Sequence, residues 1–204
     1  MNRLVLALFG AALAAPAAAE TVMLNYDGFF DRLKIYHKGH YPLARLSFAL
    51  KAQGGACDFT PIDIFAGGQS YPLLANDQGE LLLPYDKALK DDKAVVRFDT
   101  EQDCHLAVSV TGRVEGKRVF GGELLAAMAT DMAALIDAEG GMMSFLLPKP
   151  KGILVMLAEG TQVEKAPHHQ MKAGRLYIAQ EALTPQAGLR LSQAPLAIRP
   201  WFGQ

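Results

Sequence analysis

The sequence predicts a mainly β protein of the α+β class, with a β-sandwich-like module, a linking helix and a second, smaller β-module. Three observations carry that prediction. Short runs in which apolar residues alternate with small or polar ones recur along the chain, which is the period of a half-buried strand. Nineteen glycines and eleven prolines are scattered between those runs, as turns between short strands require. One long stretch, 123–138, is rich in alanine, lacks Pro and Gly, and carries an apolar stripe at helical spacing. Half of the 204 residues are hydrophobic, enough to build a core.

Taken in order, residues 21–24 read as a first short strand, and Asn25, Tyr26, Asp27 and Gly28 as a turn. Residues 29–37 read as a helix with Phe29, Leu33 and Tyr36 on one face, ended near Gly39. Leu46, Phe48 and Leu50 alternate along the next strand, which Gly54 and Gly55 end. Strands follow at 61–65, 81–83, 95–98 and 106–110, the last with Leu106, Val108 and Val110 on one face, and Gly67 and Gly68 form a turn. Strands at this spacing suggest a sandwich. In the helix at 123–138 the stripe is Leu124, Leu125, Met128, Met132, Leu135 and Ile136, and Gly140 and Gly141 supply a stop. Beyond a short Pro-Lys-Pro-Lys-Gly link at 148–152, residues 153–157 are continuously apolar, as in a strand buried on both faces. Further short strands read at 175–178, 189–191 and 196–198. The expected organisation is a leader at 1–19, a strand-helix segment at 20–40, the sandwich-like module at 41–121, the helix at 122–140 and the second β-module at 141–204. Residues 79–98 and 174–191 share a strand-turn-strand spacing, which fits either two related modules or coincidence.

The first nineteen residues form a secretory leader by pattern. Arg3 supplies the positive start, 4–13 an apolar run too short for the roughly 20 residues a bilayer span needs, and Ala17, Ala18 and Ala19 a small-residue cleavage site. Cleavage there leaves Glu20 first and places the mature chain in the periplasm. No later stretch is long and apolar enough to read as a membrane span.

The chain has 20 basic and 21 acidic groups. Such a balance supplies no field to attract nucleic acid or an anionic membrane at long range. Cys57 and Cys104 are its two cysteines, and an even pair in an oxidising compartment predicts a disulfide. The alternatives are a reactive thiol or a metal thiolate, and no C-x-x-C motif supports either.

No catalytic signature is present: no G-x-S-x-G elbow, no H-E-x-x-H helix, no phosphate-cradling G-x-x-x-x-G-K loop. Gly121 and Gly122 precede the long helix without the lysine such a loop needs. His37 and His40 lie three apart and would share a metal only if the helix ran through Gly39. His168 and His169 are adjacent, so extended backbone splays them, and His105 would have to converge on them by folding. Ser47, Ser70, Ser109, Ser144 and Ser192 are hydroxyls without an exposing glycine turn. Asp91 and Asp92 sit between Lys90 and Lys93 in what reads as a solvated hairpin. Asp99, Glu101 and Asp103 alternate before Cys104 without the Gly and Asn pattern of a calcium loop. No cofactor is implied.

Tyr26, Phe29, Phe30, Tyr36 and Tyr41 cluster beside Asp31, Arg32 and Lys34. Such a set suits either a peptide or glycan surface or a helix that packs its rings on a sheet. The stretch 24–34, Leu-Asn-Tyr-Asp-Gly-Phe-Phe-Asp-Arg-Leu-Lys, with Gly39, His40, Tyr41 and Pro42 after it, resembles the opening of a family of secreted proteobacterial proteins of unknown function. That resemblance implies a periplasmic setting and carries no activity, cofactor or site residue. The expected function is a non-catalytic binding or accessory module for an envelope protein, peptide or glycan. The alternatives are a periplasmic hydrolase with a site assembled from distant residues, and a histidine-based metal-handling protein.

Overall fold

The computed structural model describes residues 20–53, 55–59, 61–76 and 79–203. The expected leader at 1–19 lies outside the described residues, as does Gly54 of the expected strand stop. Strand β1 (Glu20–Asn25) runs straight into helix α1 (Tyr26–Lys38). Five strands and a short helix follow: β2 (Ala44–Ala52), β3 (Gly55–Ala56), β4 (Ile62–Ala66), β5 (Gln69–Pro72), α2 (Lys87–Asp91) and β6 (Val95–Thr100). Next come β7 (His105–Gly112), β8 (Val119–Phe120), the long helix α3 (Gly122–Gly140) and a 3₁₀ segment (Gly141–Leu146). The chain closes with β9 (Gly152–Met156), β10 (Val163–Lys165), β11 (Gln170–Lys172), β12 (Arg175–Ala179), β13 (Leu189–Leu191) and β14 (Ala197–Trp201). Strand outweighs helix, as the mainly β, α+β class requires.

The strands form three sheets, of order β1-β6-β4-β5, β10-β13-β8 and β11-β12-β9-β14-β7-β2-β3. The segments 41–121 and 141–204 do not map one-to-one onto sheets. Strands from both share the seven-stranded sheet, joined where Ile198 of β14 pairs with Gly112 of β7. The buried side chains form one continuous cluster that draws on all three sheets and on α1 and α3.

On β2, Leu46, Phe48 and Leu50 are buried together, which is the alternation read from the sequence. Phe29 of α1 meets Phe48 edge-on at 5.2 Å between ring centres. Helix α3 covers the same face through Leu125, Met128, Met132 and Leu135, all fully buried. Its approach needs two glycines. A Cβ on Gly112 would lie 2.2 Å from the Met128 sulfur, and one on Gly122 would lie 2.0 Å from the Thr184 carbonyl oxygen. Of the glycine pair at the start of α3, Gly122 is therefore the packing residue, and a Cβ on Gly121 would meet open space.

Three expectations are corrected, and one open alternative is decided. The supposed turn at Tyr26 and Asp27 is the first turn of α1, because Tyr26 is wholly buried and its backbone N–H bonds Ala94 O at 2.9 Å. Asp91 ends a short helix rather than a hairpin, with Asp86 accepting from Ala88 N as its cap. Residues 81–83 make only an isolated bridge, at Ala75 and Leu81, whereas Arg175–Ala179 is a strand paired on both sides. The shared spacing of 79–98 and 174–191 is thus no structural repeat. Strands β8, β10 and β11 are two or three residues long and left no readable period in the sequence.

Candidate binding surface

Helix α3 stops at Gly141, whose φ of +53° lies in the region that favours glycine. The chain then winds through Gly141–Leu146 as two turns of 3₁₀ helix. Pro148 and Pro150 bar any continuation, since proline lacks the N–H and holds the residue before it extended. The result is an exposed apolar knuckle. Met142 is 93% exposed, Phe145 74%, Leu146 62% and Met143 58%. Ser144, the one polar side chain among them, is half-buried, its Cβ 3.1 Å from where a Cβ on Gly140 would stand.

The base of the knuckle is fastened from several sides. Leu147 N donates to Ser144 O at 3.1 Å, Lys151 N to Trp201 O at 2.6 Å, and Gln180 N to Lys151 O at 2.8 Å. Lys149 pairs with Asp137 at 2.5 Å. Arg32 of α1 pairs with Glu139, in the last turn of α3, at 2.9 Å. Glu139 is only 9% exposed in its side chain, and its Oε1 has no hydrogen-bond partner among the described residues. Burial pushes its carboxyl above the usual range, and the hydrogen bond from Arg32 pulls the other way. The knuckle is therefore an ordered apolar projection on a rigid helix end. In the sequence the run Met-Met-Ser-Phe-Leu-Leu at 142–147 was the available signal, and its lack of strand alternation or helical stripe hid it.

The aromatic residues near α1 mostly build the core. Tyr26, Phe29 and Phe30 are buried, and Tyr36 and Tyr41 are half-buried. Phe30 stacks on Tyr85 at 5.0 Å, and Tyr85 on His37 at 4.5 Å. The Tyr36 hydroxyl accepts from the Arg113 guanidinium and donates to Ala44 O at 3.3 Å. The Tyr26 hydroxyl donates to Pro84 O at 2.5 Å and accepts from Asp86 N at 3.1 Å, and burial raises its pKa.

The candidate catalytic and metal residues stay apart. Gly39 is extended and ends α1, so His37 and His40 do not share a helix face. His105 opposes Lys51 across the sheet, and His169 Nδ1 lies 2.7 Å from Pro167 O. Among the described residues no three His, Cys, Asp or Glu side chains are placed to hold a metal. Ser47 pairs with Ser109 in the β2–β7 register, Ser70 accepts from Arg97, and Ser192 accepts from Gln162 N. Asp99 accepts from Thr21. A groove of about 350 Å³ on the four-stranded sheet is lined by Met23, Asp63, Arg97 and Asp99 among others. Arg97 sits over the Phe65 ring and pairs with Asp63 at 2.7 Å, and that hydrogen bond holds the Asp63 carboxyl below its usual range. Arg97 and Asp63 thus neutralise each other, and Asp99 accepts from the Thr21 hydroxyl.

Cys57 and Cys104 are bridged, with Cα atoms 5.9 Å apart. Cys57 follows β3 and Cys104 precedes β7, so the bridge clamps the place where the chain crosses from the four-stranded to the seven-stranded sheet. Among the described residues no helix is long and apolar enough to cross a membrane.

No curated protein and no solved structure matches the chain. A family model does, over residues 18–157, a span that takes in α1, the disulfide, α3 and the whole apolar knuckle. The chain accordingly belongs to the family described as Protein of unknown function (DUF2987).

Proposed function

We propose that this protein is a non-catalytic binding or accessory module of the cell envelope, exported by its leader to the periplasm, and that it docks through Met142, Met143, Phe145 and Leu146. The observation that carries the reading is the exposure of the knuckle, with four large apolar side chains outward in one short run. Exposing that surface to water is unfavourable by roughly 25 cal/mol per Å², so its burial against something else provides the driving force for docking. The aromatic residues of α1, offered by the sequence as a peptide or glycan surface, are largely committed to the core and contribute less.

Retention on washed envelopes tests the reading. The wild-type protein is expected to stay with envelopes that have been stripped of soluble contents, and the M142S/F145S/L146S variant to wash off. Equal retention of the two would refute docking through the knuckle.

A further inference from the structure

We infer that the surface against which the knuckle docks is lipid: Met142, Met143, Phe145 and Leu146 insert to the boundary between headgroups and acyl chains, with Lys149 and Lys151 at headgroup level. This rests on the docking reading above and names its occupant.

Three features favour a bilayer over a protein groove. The first is shape. At 93% and 74% exposure, Met142 and Phe145 stand clear of the described body of the protein. A fluid lipid surface accepts a convex apolar knob without needing a matching pocket.

The second is the backbone. Groups that enter an apolar phase must have their hydrogen bonds satisfied internally. On the return limb Pro148 and Pro150 have no N–H, Leu147 N bonds Ser144 O, and Lys151 N bonds Trp201 O. On the outgoing limb Gly141 N bonds Ala138 O. The 3₁₀ winding between them pairs its own groups i to i+3.

The third is charge. From residue 140 to 158 the chain has two lysines and no acid. The acids just below, Asp137 and Glu139, are already paired with Lys149 and Arg32. The near-zero net charge denies the protein long-range attraction to an anionic surface; once the apolar residues are in, Lys151 meets a headgroup phosphate, whereas Lys149 must first give up its exposed pair with Asp137. Attachment is therefore led by apolar insertion, with a modest dependence on salt.

Flotation with protein-free vesicles tests this, using two parts phosphatidylethanolamine to one part phosphatidylglycerol. The wild-type protein is expected to float with the vesicles, and M142S/F145S/L146S to partition at least tenfold less. K149Q/K151Q is expected to lose severalfold on these vesicles and little on pure phosphatidylcholine. A circular-dichroism melt confirms that each variant is folded. Wild-type protein that stays in the aqueous fraction, or floats no better than the triple variant, overturns the inference. If it ignores vesicles yet is retained on washed envelopes through the knuckle, the lipid inference falls and docking stands, with a protein as occupant. If it is retained by neither, both fall.

Discussion

Arg32 and Glu139 join α1 to the end of α3 across 107 residues of sequence, with the guanidinium 2.9 Å from the carboxylate. The pair sits two residues before the Gly141–Leu146 turn and fixes the direction in which the apolar knuckle leaves the fold. Glu139 is poorly solvated and lies at the helix end where backbone carbonyls already concentrate negative charge. Arg32 supplies the only positive partner its carboxylate has among the described residues.

Removal of that partner is expected to be costly in a pH-dependent way. Arg32→Ala should destabilise the fold by about 1–2 kcal/mol at neutral pH, since a nearly buried carboxylate is left charged and unpaired. Burial raises the Glu139 pKa, so this group's favourable contribution is complete below the ordinary glutamate value and is lost as pH rises through the folded value. Without Arg32 the folded value climbs further. The deficit of the variant should therefore shrink as pH falls through the carboxylate range, and Arg32→Ala/Glu139→Gln should recover part of the loss at neutral pH. Thermal melts at pH 7 and pH 4.5 check both.

Asp63 has the opposite sign. The hydrogen bond from Arg97 holds its pKa down, so its contribution is present above the ordinary aspartate value and fades as pH falls through the lowered one. Asp63→Asn should cost less than about 1 kcal/mol at neutral pH, because Arg97 is partly exposed. The difference from wild type should vanish in strong acid, which denaturant titrations across pH will show.

Tyr26→Phe removes one buried hydroxyl and orphans two backbone groups, Pro84 O and Asp86 N. A loss of about 1–3 kcal/mol is expected, larger than for an exposed tyrosine such as Tyr71. Urea denaturation of Tyr26→Phe and Tyr71→Phe makes the comparison.

The bridge between Cys57 and Cys104 closes a separation of 47 residues, for which the chain-entropy model gives an upper figure of about 4 kcal/mol. Reduction, or Cys57→Ser/Cys104→Ser, should lower the melting temperature. Alkylation of the unreduced protein should label no thiol, and two labelled cysteines would contradict the bridge.

Where burial follows a period, the sequence was readable. The Leu46, Phe48, Leu50 alternation and the Leu125, Met128, Met132, Leu135 stripe emerge as the inner faces of β2 and α3 because one side of each element must leave water. Tyr26 was misplaced because the Asn-Tyr-Asp-Gly tetrad is good turn chemistry, and only the distant Ala94 carbonyl and the Pro84 pocket make it a helix start. The seven-stranded sheet could not be read because the Ile198–Gly112 pairing is set by α3 packing over both strands, not by anything local. The knuckle at 142–147 was legible only as composition. An apolar run reads as core until the fold shows that none of the described residues covers it.

An environment-sensitive fluorophore on a single cysteine at the knuckle tests the central claim most directly. Met142→Cys offers the label a free thiol while Cys57 and Cys104 remain bridged, and Lys172→Cys on exposed β11 serves as the reference. Addition of washed envelopes should shift the emission at position 142 to the blue and leave that at position 172 unchanged. No shift at 142, or the same shift at both positions, would contradict the assignment of the knuckle as the docking element.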